Sequence, residues 1–150
     1  MPGLYYEEFE IGAEFKHELT RTVSEMDNIM FCAMTHNPQP LHLDEEFSKD
    51  TEYGQRIVNS LFTLGLVIGV SVSDTTLGTT IGNLGMTDTR FANPVFHGDT
   101  IRSVTTVKDK RESKSRPTAG IVIFEHRGYN QRDEEVAYCM RTAFMRKRPA

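Results

Sequence analysis

The stretch NSLFTLGLVIGVSV, from Asn59 to Val72, decides the fold class of this chain. Asn59 and Ser60 are residues that commonly cap helices, and they stand directly before an apolar run. Because the run is apolar on nearly every side, it predicts a helix that is buried on several sides. A central strand is the alternative, since valine and isoleucine are plentiful, but the run is long for a strand. We therefore expect one buried central helix.

After Gly78 the sequence changes to strand-like segments separated by turns. We expect strands over residues 79–91, 99–111, 119–129 and 135–147, with a hairpin turn at 130–135. Before the helix, alternation predicts one further strand over 13–23. This order of elements indicates an α+β fold, in which an antiparallel sheet curls around the central helix. With 150 residues, the chain is expected to form a single domain, residues 1–150.

The segment between the first strand and the central helix contains a short helix and a long loop. Ser24, with Asp27 three residues later, predicts a capped helix that runs to about Met34. Pro38 and Pro40 forbid regular helix and favour extended conformations in the residues before them. We therefore expect a loop over 36–57 with one helical turn at 45–49, and a loop of that length in a small domain is usually functional.

Composition excludes several classes of function. The chain has 38% hydrophobic and 25% charged residues, and its 17 basic and 21 acidic side chains give a net charge of -4. No concentrated basic face is expected, so we predict neither a nucleic-acid partner nor a membrane partner. The start of the sequence has no signal-peptide pattern. Cys32 and Cys139 lack metal-site spacing and are expected to be buried free thiols, which favours a cytoplasmic location.

Two segments resemble the MaoC-like (R)-specific enoyl-CoA hydratases, which have the hotdog fold. FANPVFHGDT, residues 91–100, matches the strand entry F-x-x-P-V-x-x-G-D-T of that family in full. PLHLDEEFSKDTEYGQRIVN, residues 40–59, is similar to the family's segment from the catalytic histidine to the central helix. The resemblance covers residues 8–147. It implies a hotdog domain that adds or removes water across the double bond of an enoyl-CoA, with no metal and no other cofactor.

The catalytic loop departs from the family pattern D-x-N-P-x-H. Anchoring on His42 places Asn37 at the family's aspartate, whereas anchoring on Asn37-Pro38 places Thr35 there and Pro40 at the histidine. We prefer the first register because it keeps the histidine and the acidic residues after it. Under either register the carboxylate is absent. The helix also opens on Asn59-Ser60 where the family has His-Gly.

The resemblance implies roles for several residues in the hydration reaction. In the family, the Asp/His pair handles the water and the protons, and a backbone N–H at the helix start stabilises the thioester oxyanion. The implied catalytic residues are His42 and Asn37, with Asp44 or Glu45 as a substitute carboxylate. The implied oxyanion site is Ser60 and Leu61. The alternatives are an ordinary loop histidine, a turn-forming Asn37 and a solvated acidic face.

Further candidates concern the substrate. Asn59 and Thr63 are predicted substrate contacts, although a buried helix threonine equally often bonds its own backbone. Arg56 and Arg90 adjoin the expected acyl pocket and are candidates to pair a terminal carboxylate, which would favour a branched or dicarboxylic enoyl-CoA of the mesaconyl type. Lys114 and Arg116 are candidates for the CoA phosphates, or belong only to a charged strand end.

The resemblance to a hotdog domain is compatible with three functions. The preferred one is an acyl-CoA hydratase or dehydratase, a carbon–oxygen lyase. A non-catalytic acyl-CoA-binding or partner subunit is the alternative, because the aspartate is absent. An acyl-CoA thioesterase is disfavoured, because residues 61–72 of the helix contain no carboxylate. In each case we expect a homodimer or a larger assembly of dimers, since a second copy completes the sheet and the substrate groove of hotdog domains.

Overall fold

A computed structural model describes residues 3–150 of the chain. The helices are α1 (Glu25–Met34), α2 (Pro40–Leu43), α3 (Glu45–Ser48) and α4 (Ser60–Thr75). The strands are β1 (Glu14–Lys16), β2 (Arg21–Thr22), β3 (Thr80–Arg90), β4 (Thr100–Glu112), β5 (Ala119–Tyr129) and β6 (Glu135–Arg146). The expected central helix and the strands that follow it are confirmed, as is the Ser24–Asp27 capping box at the start of α1.

The strands form an antiparallel sheet in the order β1-β4-β5-β6-β3, and β2 also pairs with β4. Helix α4 packs against β4, β5 and β6. The approach is closest at Gly128 of β5, where an added Cβ would lie 2.3 Å from the Val67 side chain of α4. The Ser103 hydroxyl of β4 also donates to the Val67 carbonyl at 2.9 Å. The sheet therefore covers one side of helix α4, which agrees with the packing expected from the sequence.

Helix α4 is buried on its sheet side and open on the opposite side. Val67 and Ser71 are fully buried, whereas Leu61 is 60% exposed. Gly65 and Gly69 follow Leu61 at helical spacing, and a Cβ at either position would meet no other atom within 4 Å. Helix α4 was expected to be buried on several sides, but in the structure the side that carries Leu61, Gly65 and Gly69 is open.

The edge strand β3 is also open. Its side chains are exposed from Asn83 to Arg90, and they include the large apolar residues Leu84 and Met86. An exposed apolar edge strand is a site at which a second chain pairs unless the edge is protected. The open side of α4 and the strand β3 together leave apolar surface without a partner.

The sheet and the loop differ from the sequence-based prediction in two places. The strand expected over 13–23 is split into β1 and β2. Lys16 pairs with Val104 and Arg21 pairs with Ile101, so a step of five residues on one side spans a step of three on β4. The two extra residues cannot stay in the ladder. The helix α2 was not predicted either. Pro40 is its first residue, a position where proline needs no N–H and has a suitable φ.

The core contains a chain of polar side chains that runs across the sheet. The Arg141 Nε donates to His126 Nε2 at 3.0 Å, and His126 Nδ1 lies 3.0 Å from the Thr105 hydroxyl. That hydroxyl lies 2.9 Å from His17 Nε2, and His17 Nδ1 lies 2.6 Å from an Asp74 carboxylate oxygen. Because arginine only donates and a carboxylate only accepts, this chain of side chains begins at a donor, Arg141, and ends at an acceptor, Asp74. Burial, together with the positive charge of Arg141, lowers the pKa of His126 to about 3.

None of the helices in residues 3–150 is both long enough and apolar enough to span a membrane.

Candidate functional site

His42 lies on α2 with its ring fixed by one hydrogen bond. Its Nδ1 is 2.8 Å from the carbonyl oxygen of Ile57. A carbonyl oxygen only accepts, so Nδ1 carries the hydrogen, and in the neutral imidazole the lone pair is on Nε2. Ile57 is three residues before Ser60, so their Cα atoms are at most about 11 Å apart. His42 Nε2, in contrast, has no hydrogen-bond partner among residues 3–150.

Asn28 of α1 connects the elements of this site, and its side chain is fully buried. Its amide nitrogen lies 3.2 Å from the His42 carbonyl and 3.0 Å from the Ile57 carbonyl. The same nitrogen is 3.0 Å from His97 Nε2, so its two hydrogens are shared among three acceptors. Its amide oxygen accepts from the backbone N–H of Asn59 at 2.9 Å. Asn28 thus connects the loop that carries His42, the Ile57 carbonyl and the start of α4.

His97, which lies in the FANPVFHGDT motif, belongs to this network. Burial and the nearby positive charge of Arg56 lower the pKa of His97. The ring is therefore neutral at physiological pH, which is the state in which its Nε2 accepts from Asn28.

The start of α4 presents free backbone N–H groups. The Asn59 side chain caps the helix by accepting from the Leu61 N–H at 3.0 Å. This bond occupies the Leu61 donor, whereas the Ser60 N–H has no acceptor among residues 3–150. Both the unused donor and the positive end of the helix dipole favour a developing negative charge here. Of the two predicted oxyanion donors, Ser60 is the one with an available N–H.

A cavity of about 260 Å³ opens at this end of the helix. Its wall is mostly apolar and includes Val58, Val136 and the segment Phe91–Val95, with Ser60 and Thr63 from α4. The FANPVFHGDT motif therefore contributes to the wall of the cavity. The Thr63 hydroxyl is buried and has no hydrogen-bond partner among the described residues. It contacts neither Asn37 nor His42 and does not bond the helix backbone.

No hydrogen bond joins Asn37 to His42 among residues 3–150. Its amide oxygen accepts from the Gln39 N–H at 3.1 Å, the Asx turn that was the structural alternative. Asn37 lines an apolar groove of about 410 Å³ between α1 and the loop, which is separate from the cavity at Ser60. The bond to Gln39 shapes the turn that leads into α2.

The acidic and basic candidates near the loop are already paired. Asp44 caps α3 by accepting from the Phe47 N–H at 3.0 Å. Glu45 bonds the Arg56 Nε at 2.6 Å, and Arg56 also pairs with Glu25 at 3.0 Å. These two carboxylates raise the pKa of Arg56. No bond joins Asp44 or Glu45 to His42 within residues 3–150.

The remaining arginine and lysine candidates are not among the residues that line the cavity. Arg90 pairs with Glu135 at 3.4 Å and stacks 3.7 Å from the centre of the Tyr138 ring. Lys114 is exposed in the turn between β4 and β5. Arg116 lines a different cleft, beside Gly78 at the opposite end of α4 from Ser60. In the described part of the chain, no cluster of three or more His, Cys, Asp or Glu side chains is arranged to hold a metal ion.

Residues 8–127 match the family described as MaoC like domain, and the chain belongs to that family. The fold is the hotdog fold, and it superposes on a Mycobacterium tuberculosis protein described as a double hotdog with a TM-score of 0.88 at 20% identity, over 98% of this chain and 45% of that one. The MaoC-like dehydratase from Rhodospirillum rubrum superposes with a TM-score of 0.85 at 28% identity, over 99% of this chain and 100% of that one.

Two curated relatives are similar over nearly the whole chain. Mesaconyl-CoA hydratase from Cereibacter sphaeroides is 32% identical over 97% of this chain and 42% of its own length. Beta-methylmalyl-CoA dehydratase from Chloroflexus aurantiacus is 31% identical over 98% of this chain and 41% of its own length. This chain therefore spans less than half the length of both relatives.

Proposed function

We propose that this chain is a hydratase or dehydratase of a short enoyl-CoA, with its chemistry at the start of α4. The observation that carries the proposal is the hydrogen bond between His42 Nδ1 and the carbonyl of Ile57. Ile57 lines the same cavity as Ser60, whose N–H has no acceptor among residues 3–150. This arrangement supplies a base and an oxyanion donor at one end of one helix. The names of the two curated relatives, a hydratase and a dehydratase of CoA esters, support the same reaction class.

In the proposed reaction, His42 Nε2 takes a proton from water as the water oxygen forms a bond to the β-carbon. The electron pair of the double bond moves toward the thioester, and the Ser60 N–H donates to its negatively charged oxygen. The protonated His42 then returns its proton to the α-carbon, so the net change is addition of one water. Dehydration is the reverse sequence. These proton transfers require no metal and no cofactor besides the CoA of the substrate.

The roles of the other loop residues follow from their bonds. Asn37 would act by shaping the Pro-rich turn, not as a base, and Asp44 and Glu45 would stabilise the loop through α3 and Arg56. His42 then carries the proton transfers that two groups share in the family. We propose that Asn59 acts as the helix cap and Thr63 as a hydroxyl facing the acyl group.

The cavity supports a short acyl chain. Its volume of about 260 Å³ and mostly apolar wall suit an acyl group of few carbons. A carboxylated substrate of the mesaconyl type is supported by the names of the relatives, whereas Arg56 and Arg90, the predicted partners of such a carboxylate, are bound to glutamates. Both kinds of substrate therefore belong in the test.

We also propose that the active form is a homodimer. The exposed strand β3 and the open side of α4 offer the surface that a second copy would cover. The relatives' chains, more than twice as long, leave room for a second such domain. The two cysteines are buried free thiols, which supports a reducing, cytoplasmic location.

The test is to incubate the purified protein with crotonyl-CoA and with mesaconyl-CoA. Loss of the enoyl-thioester absorbance without release of free thiol is the expected result. Release of thiol would instead identify a thioesterase. Binding of either ester without any change in absorbance would identify a non-catalytic acyl-CoA-binding subunit, which the turn-forming role of Asn37 favours as the second candidate.

A further inference from the structure

A second cleft with basic walls lies at the opposite end of α4 from His42 and Ser60. Its volume is about 240 Å³, and its wall includes Arg116, Arg146 and Lys147. These residues come from the turn between β4 and β5 and from the end of β6. Tyr5 and Thr118 add hydroxyl groups, and Gly78 closes the cleft on the side of α4. None of these residues belongs to the site described above.

The positive charge in this cleft is only partly neutralised by carboxylates among residues 3–150. Lys147 pairs with Glu112 at 2.8 Å. Arg116 and Arg146, in contrast, have no carboxylate within 4.0 Å among residues 3–150. Two unpaired guanidinium groups line one cleft in a protein whose net charge is -4. Since two like charges in one cleft repel each other, an anion there would relieve the repulsion.

The backbone that carries these cations is fixed by hydrogen bonds. The Arg146 N–H donates to the Thr79 carbonyl at 2.9 Å, and the Lys147 N–H donates to the Thr118 carbonyl at 3.0 Å. The Ala119 N–H donates to the Arg116 carbonyl at 3.0 Å. The backbone of the segments that line the cleft is thus ordered.

We propose that this cleft binds phosphate groups and that their source is the CoA part of the substrate, an inference that rests on the proposed function. Guanidinium groups bind phosphate oxygens through paired N–H donors, and hydroxyl groups add further donors. The 16 residues of α4 separate the cleft from Ser60 by about 24 Å. The thioester and the phosphates likewise lie at opposite ends of a CoA ester. Arg116, a predicted phosphate ligand, is joined here by Arg146, which sequence reasoning missed.

The experiment measures binding of CoA, dephospho-CoA and pantetheine by calorimetry, so that no turnover is required. The variants are Arg116→Gln and Arg146→Gln. The control is Arg111→Gln, because Arg111 is exposed on β4, does not line the cleft and has no ion pair among residues 3–150. Each cleft variant is expected to weaken CoA binding about tenfold at low salt, the effect of one charge-assisted contact. Pantetheine binding should stay unchanged, and Arg111→Gln should bind CoA as the unmodified protein does.

The inference is overturned if CoA binds equally well to both cleft variants and to the unmodified protein, or if CoA does not bind at all. It is also overturned if pantetheine binding falls as much as CoA binding. A smaller effect on dephospho-CoA than on CoA would assign the cleft to the 3′-phosphate, and an equal effect to the pyrophosphate. If the protein binds CoA through the cleft but hydrates no enoyl-CoA, only the proposed function fails. If it hydrates enoyl-CoA with cleft variants unaffected, only this inference fails.

Discussion

Replacing Ser60 by proline removes the proposed oxyanion donor without removing the helix. Ser60 is the first residue of α4, where proline is well tolerated. The preceding residue, Asn59, has φ −56° and ψ 125°, which is the conformation that residues before proline prefer. The Ser60 N–H has no acceptor within residues 3–150, and the Asn59 cap bonds Leu61 instead. Ser60→Pro should therefore keep the fold and change the free energy of unfolding by no more than about 1 kcal/mol.

The expected effect on activity is much larger. Removing one preorganised oxyanion donor costs about 10²–10³ in kcat, or about 2.7–4 kcal/mol of transition-state stabilisation. The assay follows the enoyl-thioester absorbance of crotonyl-CoA, with thermal unfolding measured in parallel. Ser60→Ala is the matched control, because it loses the hydroxyl and keeps the N–H, and it should retain most of the activity. A folded Ser60→Pro protein with unchanged kcat would refute the reasoning, as would an equal loss in Ser60→Ala.

Three further predictions concern the rest of the molecule. Asn28→Ala should lower both stability and kcat, because it removes the hydrogen bonds that hold the His42 loop. The control Asn130→Ala, at a similarly buried amide in the 130–135 turn, should lower stability alone. Unfolding curves and steady-state rates distinguish the two outcomes. His126→Gln should make stability less sensitive to acid by about 2–3 kcal/mol at pH 4.5, measured by denaturant unfolding at pH 7 and 4.5. Met86→Lys on β3 should shift the particle mass by light scattering toward the monomer and lower activity.

The sign of the His126 prediction follows from its lowered pKa. The folded protein keeps this imidazole neutral down to about pH 3, whereas the unfolded chain takes up a proton below its ordinary value of 6.5. Folding stability is therefore lost as the pH falls from 6.5 toward 3. Glutamine accepts from Arg141 and donates to Thr105 as histidine does, but it does not titrate. An unchanged acid sensitivity in His126→Gln would contradict this explanation.

Two other results would contradict the remaining predictions. Equal losses of kcat in Asn28→Ala and Asn130→Ala would mean that Asn28 supports stability only. A Met86→Lys protein with the mass of the unmodified protein would show that β3 is not the edge at which two copies meet. Conversely, a monomeric mass for the unmodified protein would remove the basis of the dimer proposal.

The elements that the sequence predicted are those that depend on short-range patterns. Helix α4 and strands β3 to β6 follow from apolar runs, alternation and turn residues, and α1 follows from the Ser24–Asp27 capping box. The division of 13–23 into β1 and β2 depends on where β4 pairs, many residues away. Register between distant strands cannot be derived from local alternation.

In the candidate site, too, the residues that were predicted are those with a local sequence signal. His42 and the start of α4 were predicted because they lie in recognisable segments of sequence. Asn28 was missed because its partners, His42, Ile57, Asn59 and His97, are 14 to 69 positions away along the chain. The one sequence signal for it is a polar residue on the buried side of α1, four positions before Cys32. Arg56 and Arg90 are predicted substrate ligands because they adjoin the expected acyl pocket. Their glutamate partners are distant along the chain and visible only in three dimensions.

The central claim is that His42 transfers the protons of enoyl-CoA hydration. The most direct measurement compares the unmodified protein with His42→Gln, each incubated with crotonyl-CoA and with mesaconyl-CoA while the enoyl-thioester absorbance is recorded. The account predicts hydration of at least one ester by the unmodified protein and a kcat about 10²–10⁴ lower in a folded His42→Gln variant. Hydration at an undiminished rate by His42→Gln, or no hydration of either ester by the unmodified protein, would contradict it.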